Sequence, residues 1–235
     1  MSQDLSVASS LLRELPGSIQ SASTLAERRC EEQFHSTGDT ALDAGIAGGL
    51  PVGRCHEICG EVSSGVTSFA LRMLAGLTRR GHCVAWVESA GALDPVAGGS
   101  LGVRLDQLLW VRAPDELHAL RAAEAILATP GFAQVVLDMR PSPGRNDTGK
   151  AQAAAQWVRL SRMAAGTRTS LVVLSGEGSL LRGVPAAVRL RLRKGQAVSS
   201  GVAPVLLEGI RTQLYVERAP AGACWTGRCL ELALP

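Results

Sequence analysis

Residues 60–68 read GEVSSGVTS, a glycine loop with the spacing that cradles phosphate and one telling change. Such a loop is written G-x-x-x-x-G-K-[ST]. Gly60, Gly65 and Thr67 hold their places and Ser68 follows, but Val66 stands where the lysine belongs. Backbone N–H groups and the positive end of a helix dipole would still face an anion here. The lysine does more, because it sets a full charge against the terminal phosphates. Losing one charge-assisted hydrogen bond costs about 1.5–3 kcal/mol, or roughly ten- to a hundredfold in affinity. Glu61 adds a carboxylate to the loop, where it repels phosphate. Thr67 could still ligand a magnesium ion, and Asp138, closing the apolar run QVVLDM (134–139), could orient it. Weak ATP or phosphate binding stays open on these residues, and they demand no cofactor.

A second group of candidates is basic. Residues 139–235 carry 14 basic and 5 acidic side chains, whereas residues 1–138 carry 10 and 16. In VRLRLRK, strand geometry puts Arg189, Arg191 and Arg193 on one face and Val188, Leu190 and Leu192 on the other. Arg140, Arg145, Lys150 and Arg182 lie in or beside polar loops. Two readings stand: phosphate contacts to nucleic acid or an acidic partner, or a solvated arginine face that discourages edge pairing.

The cysteines point away from chemistry. Cys55 and Cys59 on one strand would lie about 13 Å apart, too far for one metal ion. Cys224 and Cys229 lack a partner pair, and six cysteines in 235 residues do not form a disulfide framework. Ser68 has no matching base for a nucleophilic triad. These residues give neither a metal site nor a covalent enzyme.

The elements that must position these groups alternate. HEIC (56–59) is a strand leading into the loop, and FALRMLAGLTRR (69–80) is a helix closed by Gly81. CVAWVE (83–88) and LLWVRA (108–113) are strands, and DELHALRAAEAILA (115–128) is a helix stopped by Pro130-Gly131. QVVLDM is a strand, AQAAAQWVRLSRMAA (151–165) a helix and SLVVLS (170–175) a buried strand. AAVRLRLRK, VLLEGIRTQLYVER and RCLELAL alternate apolar and polar residues and predict a terminal antiparallel set. The pattern predicts an α/β fold with a mainly parallel central sheet flanked by helices. Residues 1–34 read as an arm with a short helix from Leu25 to Gln33, and residues 35–235 as a single core domain. A hydrophobic share of 46% without a membrane-length apolar run or a leader makes the cytoplasm the expected address and excludes a membrane partner.

HSTGDTALDAGIAGGLPVGRCHEICGEVSSGVTS (35–68) resembles the opening of a RecA-type recombinase core, and ALDP (92–95) with the LGV that follows continues the same order. In that resemblance VVLDM is the Walker B strand, and the fold implied is a RecA-like P-loop NTPase core. The short length and the altered loop are similar to the ImuA family, RecA-like proteins of the bacterial damage-induced mutagenesis cassette. SulA-like cell-division inhibitors share the pattern less specifically.

The resemblance implies further losses. The recombinases' catalytic glutamate falls on Ala90, counted back from Asp94, with Glu88 two residues too early. Their γ-phosphate-sensing glutamine falls on Gly176. Lysine, base and sensor are thus absent together, which predicts a protein that is not an enzyme. Their DNA loops fall on PSPGRNDTGK (141–150) and GEGSLLRGVP (176–185), both short and without a stacking aromatic. The partners implied are an inactive Y-family polymerase homologue (ImuB-type), an error-prone replicative-type polymerase, RecA and single-stranded DNA. The N-terminal arm resembles the recombinases' polymerisation device, which would reach RecA, a filament end or a second copy, or else packs on its own domain. A working DNA-dependent ATPase and a division inhibitor are the alternatives.

Overall fold

The computed structural model describes residues 33–140, 154–176, 184–200 and 206–234. The expected Leu25–Gln33 helix, apart from its last residue, and Arg145, Lys150 and Arg182 lie outside these residues.

Runs of β-branched and other apolar residues build the middle of the sheet. The central strand β3 (Cys55–Gly60) ends at the glycine loop and is buried throughout. It is followed by β4 (Cys83–Glu88), β5 (Leu108–Arg112), β6 (Phe132–Asp138), β7 (Ser170–Gly176) and β8 (Val188–Leu192). Then come β9 (Gln196–Ser200), β10 (Leu206–Arg218) and β11 (Cys229–Leu234). A separate short pair, β1 (Phe34–His35) and β2 (Leu50–Pro51), precedes them. The spatial order is β11-β10-β8-β3-β7-β6-β4-β5, with β9 on β10. Every pairing from β8 to β5 is parallel, and β10 is antiparallel to β8, β9 and β11.

Alternation along each strand serves two apolar layers. Val84 and Trp86 join Ile58, Val136, Val172 and Leu190 beneath α1 (Thr40–Gly45) and α2 (Val66–Arg79). Ala85 and Val87 join Val135, Leu137, Leu171 and Val173 beneath α4 (Glu116–Leu127) and α5 (Ala154–Thr167). Between β4 and β5 lies α3 (Pro95–Ser100), whose first turn is capped by Asp94 accepting the Val96 N–H at 2.9 Å. Helices on both faces of a parallel sheet give it the cover that such sheets require. Among the described residues no helix is long and apolar enough to cross a membrane.

The mainly parallel sheet and its antiparallel C-terminal strands are as the alternation predicts. One strand differs, because β8 is antiparallel to β10 but parallel to β3. Alternation reports that one face is buried and carries no information on strand direction. β8 is therefore internal, and its arginines do not guard an edge.

Some sequence landmarks prove to be local scaffolding. Ser36 and Thr37 donate their hydroxyls to Asp43 at 2.6 Å each, and the Thr37 N–H joins them at 2.8 Å. Asp39 caps α1 by accepting the Leu42 N–H at 2.9 Å. The serine-threonine-glycine turn is thereby tied to the helix that follows it.

His56 sits on β3 with no exposure, its Nε2–H donating to the Pro51 carbonyl at 3.0 Å. Burial pushes its pKa down to about 3 from 6.5, so the fold holds it neutral. Burial also lowers His35. Below the unfolded histidine value only the unfolded chain takes up these protons, so stability falls with pH. We expect His56 alone to cost up to about 1.4 kcal/mol per pH unit below about pH 6.5. Urea unfolding at about pH 7 and about pH 5 measures this slope. His56→Gln should flatten it, leaving the His35 share, and an unchanged slope in that variant would refute the assignment.

Candidate functional site

The glycine loop is tightly wrapped. Gly65 caps α2 in the left-handed region at φ 87°, and a Cβ there would lie 2.5 Å from Leu234 Cδ1. A Cβ on Gly60 would lie 2.4 Å from Ser64 Oγ, 2.7 Å from Val66 Cγ2 and 2.8 Å from the Leu192 carbonyl. Gly60 needs glycine for space, against the Leu192 backbone, and Gly65 for its left-handed backbone. Val66 is 2% exposed and packs into the α1/α2 layer. The residue in the lysine position is thus part of the turn's apolar floor. Ser68 follows Thr67 in the first turn of α2, half-buried.

In front of the loop lies a cleft of about 610 Å³, walled by residues 60–63 and by Ala90, Gly91 and Ala92, with Thr67, Arg140 and Gly176 completing it. Ala90 and Gly176 therefore face the loop, as their counting positions require, and bring it neither a carboxylate nor an amide. Among the described residues, the lining's charged groups are Glu61 and Arg140.

Arg140 governs the centre of this cleft. Its Nε donates to Asp138 Oδ1 at 2.9 Å and its Nη2 to Asp138 Oδ2 at 2.5 Å. The same Nη2 donates to Thr67 Oγ1 at 2.9 Å, and the Arg140 backbone N–H reaches Asp138 Oδ1 at 3.1 Å. Asp138 is fully buried, and the Arg140 guanidinium supplies its counter-charge. By type and position Thr67 could ligand a magnesium ion and Asp138 could orient it. The residues do not fit that ion, because the guanidinium already lies on both oxygen groups that would hold it.

The carboxylate that neighbours Asp138 across the strands is also committed. Glu88, beside Asp138 in the register of β4 and β6, is fully buried. Its Oε2 accepts the N–H groups of Ala92 at 2.7 Å and Leu93 at 3.1 Å, and its Oε1 accepts the Trp110 indole N–H at 2.9 Å. It shapes the wall of the cleft.

The predicted arginine ladder lies elsewhere, on β8 and just past its end. Arg189 pairs with fully buried Glu57 at 2.6 Å, and Ser175 donates to the other Glu57 oxygen at 3.0 Å. Arg191 pairs with Glu217 at 2.5 Å. Arg193 is exposed, its guanidinium 5.4 Å from the Tyr215 ring centroid. Sequence reasoning missed Glu57 as a partner, although a lone acid inside an apolar central strand is itself the signal. It also missed Leu234, which closes over the loop from the far end of the chain.

Cys55 and Cys59 are both buried, and burial pushes their thiols up to about 12 and about 11, which keeps them protonated. Among the described residues no three of His, Cys, Asp and Glu converge to hold a metal.

A glycine turn from a central parallel strand into a helix, with an acid ending a strand of the same sheet, defines the P-loop class of α/β proteins. Residues 14–143, more than half of the chain, match the RecA N-terminal domain family. The chain belongs to that family.

Proposed function

We propose that this chain is a catalytically silent RecA-like accessory protein, serving SOS-induced error-prone translesion DNA synthesis through protein contacts. The silence is carried by one observation: the Arg140 guanidinium occupies Thr67 and Asp138 in a cleft that also lacks the lysine, the base and the sensor. Positioned charge is what accelerates phosphoryl transfer, and among the described residues the cleft's one cation, Arg140, is already held by a carboxylate of the protein itself. The role in mutagenesis follows the resemblance to the ImuA family. The partners are then an inactive Y-family polymerase homologue and an error-prone replicative-type polymerase, with RecA and single-stranded DNA as further contacts.

Co-purification from cells exposed to DNA damage tests this reading. Polymerase subunits should be recovered with the tagged chain, and the purified chain should not turn over ATP. Recovery of the tubulin-like division protein in place of the polymerases would make it a division inhibitor. Turnover that Asp138→Asn abolishes would make it an ATPase.

A further inference from the structure

We infer that Arg140 is a built-in cation occupying the place of a divalent metal between Thr67 and Asp138, so that this cleft excludes the ion by construction. The inference deepens the silent-cleft reading, and its test reads cation binding rather than turnover or partner recovery.

Three features of the geometry carry it. Both oxygens of Asp138 are taken by one guanidinium in the side-by-side arrangement that suits arginine and carboxylate, at 2.9 and 2.5 Å. The Thr67 hydroxyl oxygen accepts from that same guanidinium at 2.9 Å, so a metal approaching it would meet a positive charge at hydrogen-bond distance. Arginine keeps its charge at any pH at which the protein folds, so the site cannot be cleared by losing a proton.

The arrangement is also local. Arg140 lies two residues beyond Asp138, and its own backbone N–H joins the same carboxylate. A tethered cation is always present at high effective concentration, whereas a metal must be recruited from solution. A divalent ion would have to expel the guanidinium and then sit beside its charge.

The molecule uses the same combination a second time. Glu57, fully buried on β3, is held by the Ser175 hydroxyl and the Arg189 guanidinium, again with an arginine neutralising a carboxylate beside a hydroxyl. There it neutralises a carboxylate inside the sheet.

Manganese binding, read by the paramagnetic resonance of the free ion, tests the assignment. The wild-type chain should leave the ion free where Arg140→Ala binds one equivalent, a gain of about tenfold or more in affinity. Arg140→Lys, which keeps a cation, should bind none, and neither should the double variant Asp138→Asn/Arg140→Ala. Manganese should raise the melting midpoint of Arg140→Ala but not that of the wild type. A folded Arg140→Ala that gains no manganese overturns the inference. So does wild-type binding that Asp138→Asn abolishes, an arm that decides the matter even where Arg140→Ala fails to fold.

Discussion

Arg189→Ala is expected to destabilise the fold by about 3–5 kcal/mol, because it leaves a carboxylate buried at the centre of the sheet without a counter-charge. Glu57 has no exposure, and its two oxygens are held by the Arg189 Nε at 2.6 Å and the Ser175 hydroxyl at 3.0 Å. The Arg189 side chain is itself only 24% exposed, so water does little to replace it. Removing the acid as well should recover most of the loss, since an apolar pair of similar volume needs no desolvation. Urea denaturation of Arg189→Leu, Glu57→Leu and the double variant forms the required cycle. A double variant as unstable as the sum of the singles would refute the coupling. The result also bears on nucleic acid. Weakened DNA binding in Arg189→Ala would be confounded by unfolding, whereas Arg193 is exposed with its guanidinium over the Tyr215 ring, so its alanine variant reports on contact more cleanly.

The elements were legible where one residue pattern had one structural meaning. CVAWVE could be read as β4 and DELHALRAAEAILA as α4 because both are apolar, periodic and bounded by turn residues. Short or polar elements carried no such signal. α3, with the sequence PVAGGS, begins on proline and holds two glycines. β9, QAVSS, owes its pairing to β10 rather than to its own residues. The direction of β8 was hidden because burial of alternate residues is the same for either direction.

The site was legible as a set of absences. Val66, Ala90 and Gly176 could be placed by spacing and resemblance, and the fold puts Ala90 and Gly176 in the cleft and Val66 in the apolar layer behind the loop. What fills the cleft was not legible. Arg140 reads in sequence as a loop cation following a strand, equally suited to a phosphate outside. Its turn inward is set by Asp138, two residues before it, and Thr67, on another element altogether. The Glu57–Arg189 pair joins strands separated by most of the chain, and no local pattern encodes that meeting.

Glu88 is the residue that most sharply separates a silent cleft from a disguised active one. A catalytic base needs a carboxylate free to take a proton from water. Glu88 instead accepts three hydrogen bonds, from the N–H groups of Ala92 and Leu93 and from the Trp110 indole, without any exposure. Hydrogen bonds to a charged group contribute about 1.5–3 kcal/mol each, and three that share one carboxylate do not add fully. Glu88→Ala is therefore expected to cost about 3–5 kcal/mol and to release the segment that forms the Ala90 wall. Glu88→Gln should cost less, about 1–3 kcal/mol, because its NH2 group must face donors where the carboxylate oxygen accepted them. Chemical denaturation measures both. Were Glu88 a base, Glu88→Gln would retain full stability and lose nucleotide turnover. That outcome would restore an active ATPase, whereas lost stability with no turnover in either protein assigns Glu88 to the wall of a cleft that performs no chemistry.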